Sequence, residues 1–222
     1  MQYLYHKQSG AIGLELTGDE HRYLFKVRRH RQGDRVALRN LEDDYLYWYE
    51  VISLDKRHAT LQLIEQEERV VSALKSLHIG WCLIDPKRIE RVLPSLNEMG
   101  VARITFIACA RSQRQFKLDF KRLEKILLNS SQQSGRSVLM ELAFMEDLKH
   151  FLQEHPDAVM INFSQNQLSD HDPIKTVVVG CEGGFSPEEV AYFDANRVVG
   201  FQTPLILRSE SAVCAVASKL LL

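Results

Sequence analysis

The sequence predicts an α/β protein in two parts. A small β-barrel occupies residues 1–70, and an α/β domain with a mostly parallel sheet occupies residues 71–222. Three observations carry this. The first part breaks into short β-rich runs separated by Ser-Gly, Gly-Asp and charged turns. From Leu77 onward, strands alternate with amphipathic helices, as they do when helical crossovers link parallel strands. Finally, Thr176–Glu189 (TVVVGCEGGFSPEE) joins a wholly apolar, β-branched strand to a capped helix through a glycine turn.

In order, Met1–His6, Ile12–Leu16, Asp34–Arg39, Tyr45–Ile52 and Thr60–Ile64 read as strands. Asp19–Arg29 reads as a short helix with Tyr23, Leu24 and Val27 at helical spacing. Five strands and a helix suggest a small barrel. Lys26, Arg28, Arg29, Arg31, Arg35 and Arg39 are set against Asp34 alone, and Tyr45, Tyr47, Trp48 and Tyr49 follow closely. Such a run is either a solvated face or a surface for phosphate contacts and base stacking. The charged stretch Glu65–Ser76 reads as the connection between the parts.

In the second part, Leu77–Ile84 is a strand. Pro86–Met99 is a helix with Ile89, Val92, Leu93, Leu96 and Met99 on one stripe and Gly100 as its stop. Pro94 falls inside it and is expected to kink or split it. Arg103–Cys109 is a strand, followed by a basic loop, Ala110–Arg114, and a helix from Asp119 to Gln133. Arg103, Arg111, Arg114, Lys117, Lys121 and Arg122 form a second basic patch, and the tail Gln132–Arg136 has no core pattern to explain it. Asp147–Gln153 is a short helix, Ala158–Phe163 a strand, Pro187–Asn196 a helix, and Val198–Phe201 and Leu205–Leu207 strand-like pieces. Ser211–Leu222 is a terminal helix apolar enough to require the sheet or a second subunit as partner.

Composition bounds the function. The formal net charge of −1 means that any nucleic-acid binding comes from local patches. Cys82, Cys109, Cys181 and Cys214 form no C-x-x-C pair and mostly sit in apolar runs, as reduced core cysteines do. No signal peptide is present, and no apolar run approaches the ~18 residues of a membrane span, so a soluble, cytoplasmic protein with no membrane contact is expected. The eight histidines show no ligand spacing, so no metal is expected.

The glycine stretch is where chemistry is to be sought. Gly180, Gly183 and Gly184 follow the buried strand at once, where positive φ or close approach to bare backbone is cheapest for glycine. Ser186-Pro187-Glu188-Glu189 then opens a helix with Ser186 as N-cap and Glu189 completing a capping box. The stretch is either a tight turn without a ligand or a ligand site at the carboxyl end of the sheet. It is neither a P-loop nor a dinucleotide fingerprint.

Four pieces in order carry a resemblance. They are Lys87 with Glu98-Met99-Gly100-Val101, Arg111-Ser112, Gln133-Ser134-Gly135-Arg136, and Gly180–Ser186 with Ile206-Leu207-Arg208-Ser209-Glu210-Ser211-Ala212. In these the chain resembles the ribosomal RNA small subunit methyltransferase E family, over nearly its whole length. His21–Arg29 and Gly33-Asp34 match that family's PUA-like RNA-binding domain. The resemblance implies a SPOUT-type α/β domain with a C-terminal trefoil knot, a homodimer, and methylation of N3 of a uridine in 16S rRNA of the small ribosomal subunit. It implies S-adenosyl-L-methionine as cofactor, held by Val179, Gly180, Glu182, Gly183, Gly184, Phe201, Leu205, Ile206, Leu207, Arg208, Ser211 and Ala212. Lys26, Arg28, Arg29, Arg31, Arg35 and Arg114 are the candidate RNA contacts. Two departures stand out. Cys181 replaces the family's usual proline, which predicts a more mobile loop, and the loop over Gly200–Leu205 is longer than the common form.

Methyl transfer from a sulfonium asks the protein mainly to position two reactants. Arg111 or Arg136 is the candidate to stabilise a developing uridine anion, with Glu210 or Glu182 orienting it; Glu210 could equally serve helix electrostatics alone. Two other readings stay open: a methyltransferase of this fold acting on another RNA, and a non-catalytic RNA-binding ribosome-assembly factor.

Overall fold

The computed structural model describes residues 2–113, 115–170 and 173–222. The chain forms two compact units: Met1–Ser72 with Leu128–Val138, and Ala73–Leu127 with Leu139–Leu222.

The first unit holds a five-stranded mixed sheet. Its strands are β1 (Leu4–Tyr5), β2 (Gly13–Leu16), β3 (Arg35–Arg39), β4 (Tyr45–Leu54) and β5 (Ala59–Glu68), in the order β1-β3-β4-β5-β2. β1 pairs parallel with β3, and the remaining pairs are antiparallel. Register shifts at Trp48/Tyr49 and Val51/Ser53 curl the long β4–β5 ribbon. Among the described residues β1 and β2 do not pair, so the sheet is open and curled rather than closed as a barrel. Leu16, Leu24, Leu38, Tyr49, Val51 and Leu61 fill its concave core.

Three expectations are corrected here. Glu65–Glu68 is no linker: it continues β5 opposite Tyr45–Trp48. Asp19–Arg29 is not one α-helix but a single turn, α1 (Gly18–His21), followed by a π-helical segment, Arg22–Val27. An i→i−5 bond from Arg28 N–H to the Tyr23 carbonyl widens that segment, so Leu24 is buried while Val27 is turned outward. The aromatic run is mostly core, since Tyr47 and Tyr49 are buried, and Arg39 is buried with its guanidinium donating to the carbonyls of Tyr45 and Arg69.

The polar tail also finds its purpose in this unit. α3 (Phe120–Ser134) runs from the second unit into the first. The Gln132 carbonyl accepts from Gln2 N–H at 3.0 Å and its Oε1 from Tyr5 N–H at 2.8 Å. Tyr3 OH donates to the Arg136 carbonyl at 2.7 Å. The tail satisfies backbone groups at the sheet edge.

The second unit holds a six-stranded parallel sheet of β6 (His78–Cys82), β7 (Arg103–Ile107), β8 (Glu141–Met145), β9 (Val159–Ile161), β10 (Thr176–Val179) and β11 (Val198–Val199). The order is β11-β9-β10-β6-β7-β8. β8 is an element that sequence patterning missed, because its half-exposed residues carry no clear alternation. α2 (Pro86–Met99), α4 (Leu148–Glu154), α5 (Pro187–Val190) and α6 (Ser209–Leu221) complete the unit. α2 starts on Asp85, whose Oδ1 accepts from Lys87 N–H at 2.9 Å, and ends on Gly100 at φ 95°. It runs unbroken through Pro94. The helix expected over Pro187–Asn196 is one turn, after which i→i−3 bonds carry the chain to an extended Asp194. Leu205–Leu207 is not a strand.

Cys82, the last residue of β6, and Cys109, just past the end of the adjacent β7, form a disulfide, which corrects the expectation of reduced thiols at those two positions. Among the described residues no helix is long and apolar enough to cross a membrane.

Candidate active site

The loops that leave the carboxyl ends of β9, β10 and β11 enclose a cleft of about 720 Å³. In parallel sheets this is the edge where ligands bind, because strand-end loops diverge there. The sequence-named residues Val179, Gly180, Glu182, Gly183, Gly184, Phe201, Leu205, Ile206, Leu207 and Ala212 line it. Arg208 and Ser211 do not: Arg208 is the exposed N-cap residue of α6, and Ser211 faces outward. Sequence reasoning missed the β9 loop, Asn162–Gln165, and Gly200, Thr203 and Ser209. Only the tertiary crossing of the β9 and β11 loops brings these to the cleft.

The floor is the turn after β10. Gly184 N–H donates to the Cys181 carbonyl at 2.9 Å, and Gly184 takes φ +65°, which a side chain would strain. A Cβ on Gly180 would meet the Phe185 ring at 3.2 Å, so the backbone lies bare at this point. Cys181 is buried and its thiol donates to the Gly184 carbonyl at 3.6 Å, a tether within the loop where the family has a ring. Burial pushes that thiol's pKa up.

The capping box at Ser186 is present. Its carboxylate does more than cap. Glu189 Oε2 accepts from Ser186 N–H at 2.8 Å, and Oε1 accepts from Ala110 N–H at 2.8 Å. That second bond holds the loop carrying Arg111 beside the glycine turn. Arg111 is exposed, and its Nη1 donates to the Gly183 carbonyl at 2.8 Å. A Cβ on Gly183 would sit 3.2 Å from Arg111 Cβ, so the glycine makes room for the arginine.

Ser209 fastens the other wall. It accepts from Trp81 Nε1–H at 2.8 Å and donates to the Gly180 carbonyl at 2.5 Å. Next to it, Arg88 of α2 reaches Glu182 Oε1 at 3.3 Å and Glu210 Oε1 at 3.4 Å. The two acids named from the sequence therefore orient Arg88, not Arg111. Glu210 Oε2 is buried and, among the described residues, has no hydrogen-bond partner. Arg88 had no sequence signal of its own, lying among the exposed charges of an ordinary amphipathic helix.

Arg136 is not brought to this cleft. It is buried in the first unit, its Nε donates to the Val138 carbonyl at 2.7 Å, and burial lowers its pKa. Lys26, Arg28, Arg29, Arg31 and Arg35 are all exposed on the first unit. Arg35 pairs with Glu65 at 2.7 Å and lies over the Trp48 ring. Arg114 lies outside the described residues. In the second patch Arg122 is engaged by Glu90 at 2.7 Å. Among the described residues no three His, Cys, Asp or Glu side chains gather as metal ligands would.

A model of the RNA methyltransferase domain matches residues 72–221, and one of the RNA methyltransferase PUA domain matches residues 16–64. The ribosomal RNA small subunit methyltransferase E of Helicobacter pylori strain J99 is 37% identical over 222 residues, 98% of each chain. That of Aquifex aeolicus is 26% identical over 89% of each. The crystal structure of the Neisseria gonorrhoeae enzyme of that name, bound to S-adenosyl methionine, superposes with a TM-score of 0.79 at 16% identity, covering 98% of this chain and 95% of that one. That last similarity is one of fold.

Proposed function

The chain belongs to the ribosomal RNA small subunit methyltransferase E family, and on that premise we propose that it methylates N3 of a uridine in 16S rRNA with S-adenosylmethionine as donor. The observation that carries the reading is the cleft at the carboxyl edge of the parallel sheet, walled by the glycine turn and by the segment that precedes α6.

The cleft suits that cofactor. Its volume falls within the ~300–1,000 Å³ of small-molecule sites. Gly180, Gly183 and Gly184 let a ligand lie directly against backbone, while Phe201, Leu205, Ile206 and Leu207 offer apolar surface to an adenine ring. Glu182 gives a carboxylate for a ribose or amino group. When bound, the cofactor supplies a methyl group on a positively charged sulfonium, ready for in-line displacement. The protein's own task is to orient the uridine and lower the cost of its N3 anion. Arg111, anchored by one N–H to Gly183, keeps further donors for the carbonyl oxygens onto which that charge spreads. Arg88 sets the spacing of Glu182 and Glu210, and so of the turn and of the start of α6. The burial of Arg136 supports a packing role for it.

The exposed cations Lys26, Arg28, Arg29, Arg31 and Arg35 support RNA binding by the first unit. Phe163, Leu205 and Ile206 stand exposed at the cleft, apolar surface that supports a homodimer in which a second copy covers it. Close passage of the β9 loop over Gly200, where a Cβ would meet the Asn162 carbonyl at 2.9 Å, supports a SPOUT-type trefoil knot. An rRNA substrate makes the cytoplasm the expected compartment.

Titration calorimetry with S-adenosylmethionine tests the site, with Gly184→Val as control, since a β-branched residue at φ +65° distorts the turn. Tritiated-methyl transfer to small-subunit particles tests the reaction. A methyl on N3 blocks Watson–Crick pairing, so it also halts reverse transcription at the modified uridine. Cofactor binding without transfer to 16S rRNA would point to another RNA. No cofactor binding, with or without RNA, would leave a non-catalytic RNA-binding protein.

A further inference from the structure

The first unit carries a second concavity, of about 430 Å³, enclosed by β1, α1, the π-helical segment and the final turns of α3. Its walls include Tyr5, Glu20, Tyr23, Val27 and Asn129. The volume is that of a small-molecule site. Val27 is 58% exposed there, an apolar contact left uncovered by the wide π-turn. Glu20 is the unusual member. Its nearest partner is His6 Nε2 at 3.7 Å, beyond hydrogen-bonding distance, and among the described residues its carboxylate accepts no hydrogen bond. Asn129 accepts a long bond from Gln132 at 3.5 Å, and among the described residues its own amide N–H groups donate to nothing. Acceptor and donors thus stand ready on opposite elements of one cavity. Arg22 and the exposed Asp19 also line it, and Arg28 Nη2 donates to the OH of the lining Tyr23 at 2.9 Å.

A carboxylate within that accepts no hydrogen bond among the described residues, with Arg22 on the wall and Arg28 held beside it on Tyr23, suits a ligand with N–H donors within and phosphates outside. We propose that this concavity receives one unpaired guanine of the RNA. Tyr5 and Tyr23 give stacking surface, Glu20 accepts from the two adjacent donors N1–H and N2–H, Asn129 donates to O6, and Arg22 and Arg28 hold the flanking phosphates. Cytosine and adenine place an acceptor where guanine places N1–H, so a carboxylate repels them; uracil keeps a donor there, N3–H, but sets its O2 acceptor where guanine has N2–H, so it gives the carboxylate one hydrogen bond and one repulsive contact instead of two bonds. Burial raises the Glu20 pKa, as expected of a carboxylate partly withdrawn from water and lacking a close partner. The proposal rests on the reading of the first unit as RNA-binding, and its test separates the two.

Fluorescence anisotropy would compare a short oligouridine, the same strand with one central guanosine, and the same strand with inosine, which lacks the N2 amino group. The guanosine strand should bind about tenfold tighter than oligouridine, with inosine between them. In Glu20→Gln the preference should fall to about one, and in Asn129→Ala it should shrink, with circular dichroism showing both variants folded. Equal affinities in the wild type, or a guanine preference that survives Glu20→Gln, would overturn the pocket while leaving salt-dependent RNA binding intact. No binding of any strand at low salt would overturn both.

Discussion

Glu189 holds Ala110: the buried carboxylate on α5 accepts the Ala110 backbone N–H at 2.8 Å while its other oxygen accepts from Ser186 N–H. One side chain thus couples the glycine turn to the loop bearing Arg111. Glu189→Ala should cost about 1–3 kcal/mol, because two backbone donors in part-buried hydrogen bonds lose a charged acceptor. It should also weaken cofactor binding. Urea unfolding and calorimetry check this; unchanged cofactor affinity would reduce Glu189 to a helix cap.

Arg88 between Glu182 and Glu210 leads to a different expectation. The side chain is 38% exposed, so its loss should barely alter stability. Arg88→Gln leaves two facing carboxylates and should lower cofactor affinity about tenfold, an effect of about 1.4 kcal/mol, with Arg88→Lys recovering part of it. Equal affinity in wild type and Arg88→Gln would remove the residue from the site.

Arg111→Ala should reduce turnover about a hundredfold, the usual loss for one charge-stabilising donor. Affinity for S-adenosylmethionine should change far less. Near-normal turnover at saturating RNA would move anion stabilisation to another group.

Gly200→Ala should destabilise the second unit by about 1–3 kcal/mol through overpacking, since the new methyl meets the Asn162 carbonyl at 2.9 Å and Ser164 N at 3.1 Å. Gly184→Ala has nothing within 4 Å and should cost only the left-handed backbone penalty, about 1 kcal/mol. Thermal unfolding of the pair would expose any reversal of that order.

His78 gives the pH dependence. Burial, then His155 and Arg103, push its pKa down to about 4, and its Nε2 is 2.8 Å from the Thr105 hydroxyl. The unfolded chain takes up this proton near pH 6.5 and the folded one only near pH 4. The stability is therefore full above 6.5 and falls as pH drops through that window. Allowing for solvent screening of a part-buried ring, the loss should be about 1–2 kcal/mol. His78→Gln should flatten the fall in urea midpoint between pH 7.5 and 5; the same fall in both proteins would place the titration elsewhere.

Much of this molecule was legible because its signals are local. The capping box at Ser186, Asp85-Pro86 and Gly100 at the two ends of α2, and the apolar run Thr176–Val179 each depend on neighbours a few residues away. What failed did so for nonlocal reasons. The Asp19–Arg29 spacing reads as α-helical until one widened turn expels Val27. Tyr47 and Tyr49 look like stacking surface but alternate into a core. Arg39 and Arg136 look like cationic contacts, yet their charges are spent on backbone carbonyls.

The sequence by itself determined the strand–glycine–helix unit and the family. Which side chains share the cleft was decided only by tertiary structure. Arg88 and Glu210 are 122 residues apart along the chain, and the β9 loop at Asn162 and Ser164 comes to Gly200 only because that residue lacks a Cβ. Strand order in a parallel sheet is set by crossovers that bury apolar faces, and periodicity records the faces but not the order.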